Sequence, residues 1–370
     1  MNSSVDREKA SGTGGLLCNK KFIVKAVSIF MVLLLFAAAL CGCNNGEGKG
    51  GMATDPVTQE PTPEPTPEKR YTSMQLFDDV EFRNGFTVIG QNTVKRGNVY
   101  IDPASPEGTG TKPSWMIAQW NSGPCLYRDR AESAPNVVTD GTIKTVTFDP
   151  EDRSISLRLN TIPLYNGKPG VTQNWPHLLL EQSPLNISPN KSSDADRLPY
   201  YSCSCDKMIV SLDVRMTDYK FVFVEGVNAA QFLSYYYIKS KTGNDFVWFG
   251  VPLFDNRGET GIYWAIDTAG SDRMIYSIAS TDTYKNSPHS LLNEAGEPIV
   301  SDEWIHVEVD IRPHIEALLE RGLKEGTFKS AKTLDDLYIS GVNIGWETIG
   351  SFDIDVQIRD FKLTGYIEEK

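Results

Sequence analysis

Lys207-Met208-Ile209-Val210-Ser211-Leu212-Asp213-Val214-Arg215-Met216 is the stretch that decides the fold class. Met208, Val210, Leu212, Val214 and Met216 fall on every second position. A period of two puts all five on one face of a pleated strand, whereas a helix would scatter them around its circumference. The same signature recurs at Ile155, Leu157 and Leu159, at Ile305, Val307, Val309 and Ile311, and at Phe352, Ile354, Val356 and Ile358. Phe246 to Phe254 is apolar on both faces, as a central strand covered on each side would be. Gly, Asn, Asp and Pro punctuate these runs, and the pattern yields about a dozen strands. The expectation is an all-β chain, a two-sheet antiparallel β-sandwich of jelly-roll type.

One segment breaks the rule. Pro313-His314-Ile315-Glu316-Ala317-Leu318-Leu319-Glu320-Arg321 has a proline near its start and Gly322 after it, with Ile315, Leu318 and Leu319 on one face. That spacing predicts a short helix near 313–321 lying across a sheet end. No alternation of strand and helix exists, which excludes the doubly wound domains of ABC-type solute receptors. Ser183 to Cys205 is polar and proline-punctuated, either a long insertion near a site or a domain boundary.

The N-terminal part reads differently. Lys20, Lys21 and Lys25 precede an uncharged apolar run, Ala26 to Gly42, ending Leu40-Cys41-Gly42-Cys43. A basic start, an apolar middle and small residues before a cut read as an export signal. The ending resembles the lipobox of bacterial lipoproteins, which implies that Cys43 receives a diacylglycerol and becomes the first residue of the mature chain. An uncleaved membrane helix is the competing reading, since with Phe22 to Val24 the run nears the roughly 20 residues a span needs. Residues 43–70 are rich in Gly, Pro, Glu and Thr, including Pro61-Thr62-Pro63-Glu64-Pro65-Thr66-Pro67-Glu68. Such a segment buries too little to fold and reads as an extended linker. The organisation expected is signal 1–42, linker 43–70 and β-sandwich 71–370, displayed outside the cytoplasm and anchored to the membrane by lipid.

The whole chain carries a formal charge of −12. Residues 1–42 hold five Lys/Arg (Arg7, Lys9, Lys20, Lys21, Lys25) and two acids (Asp6, Glu8), leaving 31 basic and 46 acidic residues and a charge of −15. Without a basic cluster, nucleic acid is excluded as a partner and polyanions are disfavoured. Neutral glycans suit the balance better. Cys125, Cys203 and Cys205 remain in the folded part, and one disulfide from Cys125 to Cys203 or Cys205 is expected. No residue pattern has metal-finger spacing, and no cofactor is implied. Asp255-Asn256-Arg257-Gly258-Glu259 clusters hard oxygens that a calcium ion could use, but without EF-hand spacing a plain β-turn is the simpler reading.

A tryptophan- and tyrosine-rich all-β domain with Asn343-Ile344-Gly345-Trp346-Glu347 before a long alternating strand resembles the concanavalin A-like lectin/glucanase jelly rolls. The resemblance implies a glycan-facing concave sheet. It carries over no catalytic residues, because that superfamily's Glu-x-Asp-x-x-Glu signature is absent.

Sugars present C–H faces to aromatic rings and hydroxyls to carboxylates and amides, so sites mix both types. Four segments do. Trp115 to Trp120 includes Gln119. Gln173-Asn174-Trp175-Pro176-His177 leads into a strand on which His177, Leu179 and Glu181 share a face. Trp304, His306, Glu308 and Asp310 lie opposite Ile305 and Val307. Trp346 and Glu347 form the fourth. Candidate ligand-binding residues are therefore Gln173, Trp175, His177, Trp304 and His306. Candidate catalytic residues, if the chain is an enzyme, are Glu181, Glu308, Glu347 and His177. Four residues along a strand span roughly 13 Å, so His177 and Glu181 cannot act together on one bond, and a partner for Glu181 must come from a neighbouring strand. Glu347 and Glu308 are the candidates. A lyase would need a base such as His177 or a tyrosine with Arg128, Arg130 or Arg158 against a uronate. Buried tryptophan is the plainer reading of Trp115, Trp248, Trp264 and Trp346, and a solvated sheet face that of the Trp304 row. Tyr236 must face opposite Tyr235 and Tyr237. The resulting function is a surface lipoprotein that binds polysaccharide. The alternatives are a glycoside hydrolase or polysaccharide lyase on the same fold, and a structural or adhesion lipoprotein.

Overall fold

Every alternating run becomes a strand. The computed structural model describes residues 69–89, 96–97, 113–126, 134, 136–170, 174–267 and 271–370. The expected export signal, Cys43, the linker as far as residue 68, Arg128, Arg130 and Gln173 lie outside the described residues. In chain order the strands are β1 (Tyr71–Gln75), β2 (Phe86–Ile89), β3 (Arg96–Gly97), β4 (Trp115–Trp120), β5 (Val137–Thr139), β6 (Lys144–Asp149), β7 (Ser154–Asn160) and β8 (His177–Gln182). They continue with β9 (Lys207–Val222), β10 (Ala229–Ser240), β11 (Phe246–Asp255), β12 (Tyr263–Ile266), β13 (Met274–Ser277), β14 (Ile305–Asp310), β15 (Leu337–Ile349) and β16 (Ser351–Glu368).

They form two sheets of jelly-roll type. A seven-stranded sheet has the order β14-β9-β16-β7-β6-β5, with β1 also paired to β16. A nine-stranded sheet has the order β12-β13-β11-β10-β15-β8-β4-β2-β3. Pairing is antiparallel except near the edges of the larger sheet, where β11 with β13 and β2 with β4 run parallel.

The core lies between the sheets. From β9, Met208, Val210, Leu212, Val214 and Met216 point inward and are fully buried. Phe232, Tyr236, Ile344 and Trp346 join the same core from β10 and β15. Each such aliphatic or aromatic side chain contributes about 1.5–3 kcal/mol. The Trp346 indole crosses the sandwich and donates from Nε1 to the Leu157 carbonyl at 2.9 Å, which satisfies its one polar atom. The predicted helix is present and longer, Arg312–Lys324, burying Ile315, Leu318 and Leu319. Among the described residues no helix is long and apolar enough to cross a membrane.

Ser183 to Cys205 is a structured cap, with a short 3-10 helix at Ser192–Asp194 and a helical turn at Leu198–Tyr201. It plugs Tyr201 into the core, where its hydroxyl donates to the Leu76 carbonyl at 2.9 Å. The expected disulfide between Cys125 and Cys203 or Cys205 is not formed among the described residues, where all three thiols are buried. Counting thiols did not reveal that Cys125 follows β4 in one sheet while Cys203 and Cys205 lead into β9 of the other. Burial pushes the Cys205 thiol up to about 12 and the Cys203 thiol higher still.

Candidate functional site

The outer face of the nine-stranded sheet holds a cleft of about 1500 Å3. Its floor follows from register. On β10, Tyr236 and Ile238 face the core, so Tyr235 and Tyr237 face out. Tyr237 stands opposite Trp248 on β11, and Lys239 opposite Phe246. Tyr235 stands opposite Gly250 on one side and Asn343 of β15 on the other. Asn343 in turn faces Glu181 of β8. Among the described residues no further layer covers the apolar residues on the outer face of β11, where the sequence reading expected one. They form the cleft floor.

Aromatic rings fill the centre. Trp248 meets Tyr237 and Phe246 edge to face, with centroids 4.6 and 4.8 Å apart. Its Nε1 donates to Ser271 Oγ at 2.8 Å, and Ser271 Oγ donates to Asp267 Oδ2 at 2.8 Å, which fixes the indole. Two glycines make room. A Cβ on Gly250 would come within 2.9 Å of the Tyr235 ring, and one on Gly341 within 2.5 Å of the Tyr237 ring. Burial pushes both tyrosine hydroxyls well above the ordinary phenol value, reinforced by Glu347 beside Tyr235 and by Glu181 beside Tyr237. Both remain neutral hydroxyls at physiological pH. Asn343 Nδ2 donates to the Tyr237 hydroxyl at 3.1 Å, while its buried Oδ1 has no hydrogen-bond partner among the described residues.

A polar row bounds one end, placed by the register Trp120, His177, Glu347, Gln231, Asp255 across β4, β8, β15, β10 and β11. The His177 ring is edge-on to Trp120 at 6.0 Å, and its Nε2 lies 3.5 Å from Glu347 Oε1. Gln231 Nε2 donates to Glu347 Oε2 at 3.2 Å, and the Arg257 guanidinium donates to Gln231 Oε1 at 3.2 Å. Arg257 also forks onto both oxygens of Asp255. That carboxylate is therefore held by a cation of its own turn. Among the described residues no cluster of three or more His, Cys, Asp or Glu could hold a metal ion. Trp175 lines the same end, where the Asn121 side chain donates to its carbonyl at 3.3 Å.

The sequence candidates thus divide. Trp175, His177, Glu181 and Glu347 share the cleft. Trp304, His306 and Glu308 lie on the outer face of the other sheet. There the Trp304 ring sits between the Arg215 and Arg359 guanidinium groups at 4.2 and 4.4 Å, and His306 Nδ1 lies 2.8 Å from Asp213. Arg158 is on that sheet too, paired with Asp353. Trp115 and Trp346 are core, while Trp248 is half-buried on the cleft floor. Sequence reasoning did not place Tyr235, Tyr237 or Asn343 in the site, and its reading of Trp248 as buried core is thereby corrected. The alternation of Tyr235-Tyr236-Tyr237 against a core strand carried that signal.

Register also decides how the two floor carboxylates relate. Glu347 is opposite His177 and Glu181 is opposite Asn343, so the acids sit on adjacent strands four residues out of step. Their backbone positions are roughly 13 Å apart along the strands. Retaining hydrolysis needs carboxyls about 5–5.5 Å apart, and inverting hydrolysis about 6.5–9.5 Å.

No protein-family model matches the chain, and a search among curated proteins returns no match. Solved structures similar to it include a family 12 xyloglucanase from Bacillus licheniformis, at 10% identity and a TM-score of 0.35, covering 65% of this chain and 97% of that one. An endoglucanase from Rhodothermus marinus is similar at 9% identity and a TM-score of 0.31, covering 65% and 96%. The family 11 xylanase from Neocallimastix patriciarum is similar at 11% identity and a TM-score of 0.31, covering 69% and 100%. At these scores the functional reading rests on the cleft's own geometry.

Proposed function

We propose that this protein binds a polysaccharide chain in the cleft of its nine-stranded sheet, outside the cell and tethered through lipid on Cys43. One observation carries the reading: an open cleft floored by Tyr235, Tyr237 and Trp248 and edged by His177, Glu347, Gln231 and Asn343. Aromatic faces suit sugar C–H surfaces, and the polar groups suit hydroxyls. Its volume of about 1500 Å3 exceeds the ~300–1,000 Å3 of small-molecule pockets, as a polymer site should. Most of the lining is uncharged, which fits a largely neutral glycan. The out-of-step spacing of Glu181 and Glu347 does not suit those two acids to cutting one bond together.

Glycoside hydrolysis is the second reading, because four carboxylates, Glu181, Asp255, Asp267 and Glu347, line the cleft. The test is a panel of polysaccharides incubated with the full chain, scoring retention and released reducing or unsaturated sugars together. Retention without release supports binding. Release would replace it with catalysis, and neither across a broad panel would favour an adhesion role.

A further inference from the structure

The end of the cleft away from His177 and Glu347 carries two cations beside the acids Glu181 and Asp267. Lys239 Nζ and the Arg273 guanidinium both lie over the Phe246 ring, 5.6 and 5.7 Å from its centroid. All three residues line the cleft. Among the described residues neither cation makes a salt bridge, although Arg257 at the other end is locked to Asp255 and Lys241 nearby pairs with Asp335. The neighbouring acids are already engaged. Asp245 accepts from the backbone N–H groups of Lys329, Ser330 and Ala331 at 2.9, 2.8 and 2.7 Å, and Asp267 accepts from Ser271. Arg273 donates one N–H to the Asn244 carbonyl at 3.2 Å, its one side-chain hydrogen bond among the described residues.

Two like charges sharing one ring repel each other, and the ring's face offsets only part of that. In a chain of net charge −12 acids are plentiful, yet among the described residues Lys239 and Arg273 enter no ion pair. We infer that Lys239 and Arg273 form a subsite for an anionic substituent on the glycan, a carboxylate or sulfate carried by one sugar, with Phe246 beneath that sugar. This rests on the reading of the cleft as a glycan site and deepens it: the polymer is neutral over Tyr235, Tyr237 and Trp248 and acidic at one residue. The planar guanidinium fork matches a carboxylate's two oxygens, and Lys239 adds a point charge.

The test uses the full chain and matched polymers on two backbones: xylan with and without glucuronosyl branches, and cellulose with and without oxidation of C6 to the carboxylate. Cellulose sulfate separates sulfate from carboxylate. Two exposed or half-exposed ion pairs should favour the acidic polymer about 3- to 10-fold over its neutral match. That preference should shrink toward unity between about 0.01 and 1 M salt, as screening shortens from ~30 to ~3 Å. It should also collapse in Lys239→Gln/Arg273→Gln. If the double variant fails to fold, the salt dependence of the wild-type preference decides. Equal binding of acidic and neutral polymers, or a preference that survives the double substitution or high salt, overturns the subsite while leaving the glycan reading intact. Binding of none of these polymers overturns both.

Discussion

Trp248→Ala is the substitution that discriminates most sharply between the two faces of the sandwich. Trp248 is half-buried on the cleft floor, makes edge-to-face contacts with Tyr237 and Phe246 at 4.6 and 4.8 Å, and is held by Ser271 at 2.8 Å. Aromatic pairs are worth about 0.5–1.5 kcal/mol each beyond burial, so losing two should cost about 2–3 kcal/mol of stability once the partly exposed indole's smaller burial term is added. A central aromatic anchor in a binding site contributes at least ~2 kcal/mol, which is about 30-fold in affinity. Trp304→Ala is the control. Its ring also contacts two arginines, Arg215 and Arg359, but on the opposite sheet. It should lower stability by about 1 kcal/mol and leave glycan affinity as in the wild type. Affinity electrophoresis in polysaccharide gels, paired with urea denaturation, separates the two effects. If Trp248→Ala, shown to be folded, retains wild-type affinity, or if Trp304→Ala loses as much, the cleft assignment is refuted.

Three further outcomes follow from the packing. Lys144 and Asp140 form an ion pair 3.0 Å apart with both side chains fully buried, and Lys144 Nζ also donates to the carbonyls of Ser122 and Pro124 beside the cleft. Lys144→Met should cost about 3–5 kcal/mol in urea denaturation, because it strands a buried carboxylate. Burial raises the Asp355 carboxyl above its ordinary value of 3.8, outweighing the hydroxyls of Ser156 and Thr217. A raised acid favours the folded state when protonated, so its stabilisation is complete below pH 3.8 and is lost as pH rises through the higher folded value. Asp355→Asn should flatten that part of the stability–pH profile, measured as the urea midpoint at successive pH values. Cys125, Cys203 and Cys205, all buried thiols, should react with a thiol reagent only after denaturation, and a reductant should leave Tm unchanged.

Much of the fold was legible because period-two alternation is a direct consequence of burying one face of a strand. Met208 to Met216, Ile305 to Ile311 and Phe352 to Ile358 all turn their apolar sets inward. The cleft was only half legible. His177, Glu181 and Glu347 could be named because their residue types and phase pointed outward, but their mutual register depends on pairing across β8 and β15, which no local pattern encodes. Trp304 and His306 looked equally suitable because a sequence cannot say which of two solvent faces carries the cleft. The apolar outer side of Phe246–Phe254 suggested a covering layer for the same reason: a cleft floor and a covered face have the same composition. The cysteine pairing failed because a count of thiols does not say which sheet each one flanks: Cys125 follows β4, whereas Cys203 and Cys205 lead into β9 of the other sheet.

Hydroxyl-radical footprinting of the full chain, with and without a retained polysaccharide, tests the central claim most directly, because it reports where the glycan lies. The account predicts reduced oxidation at Trp175 and Trp248 when the polymer is present, with Trp304 unchanged. Protection at Trp304 with none at Trp248 would place the ligand on the other sheet and contradict it.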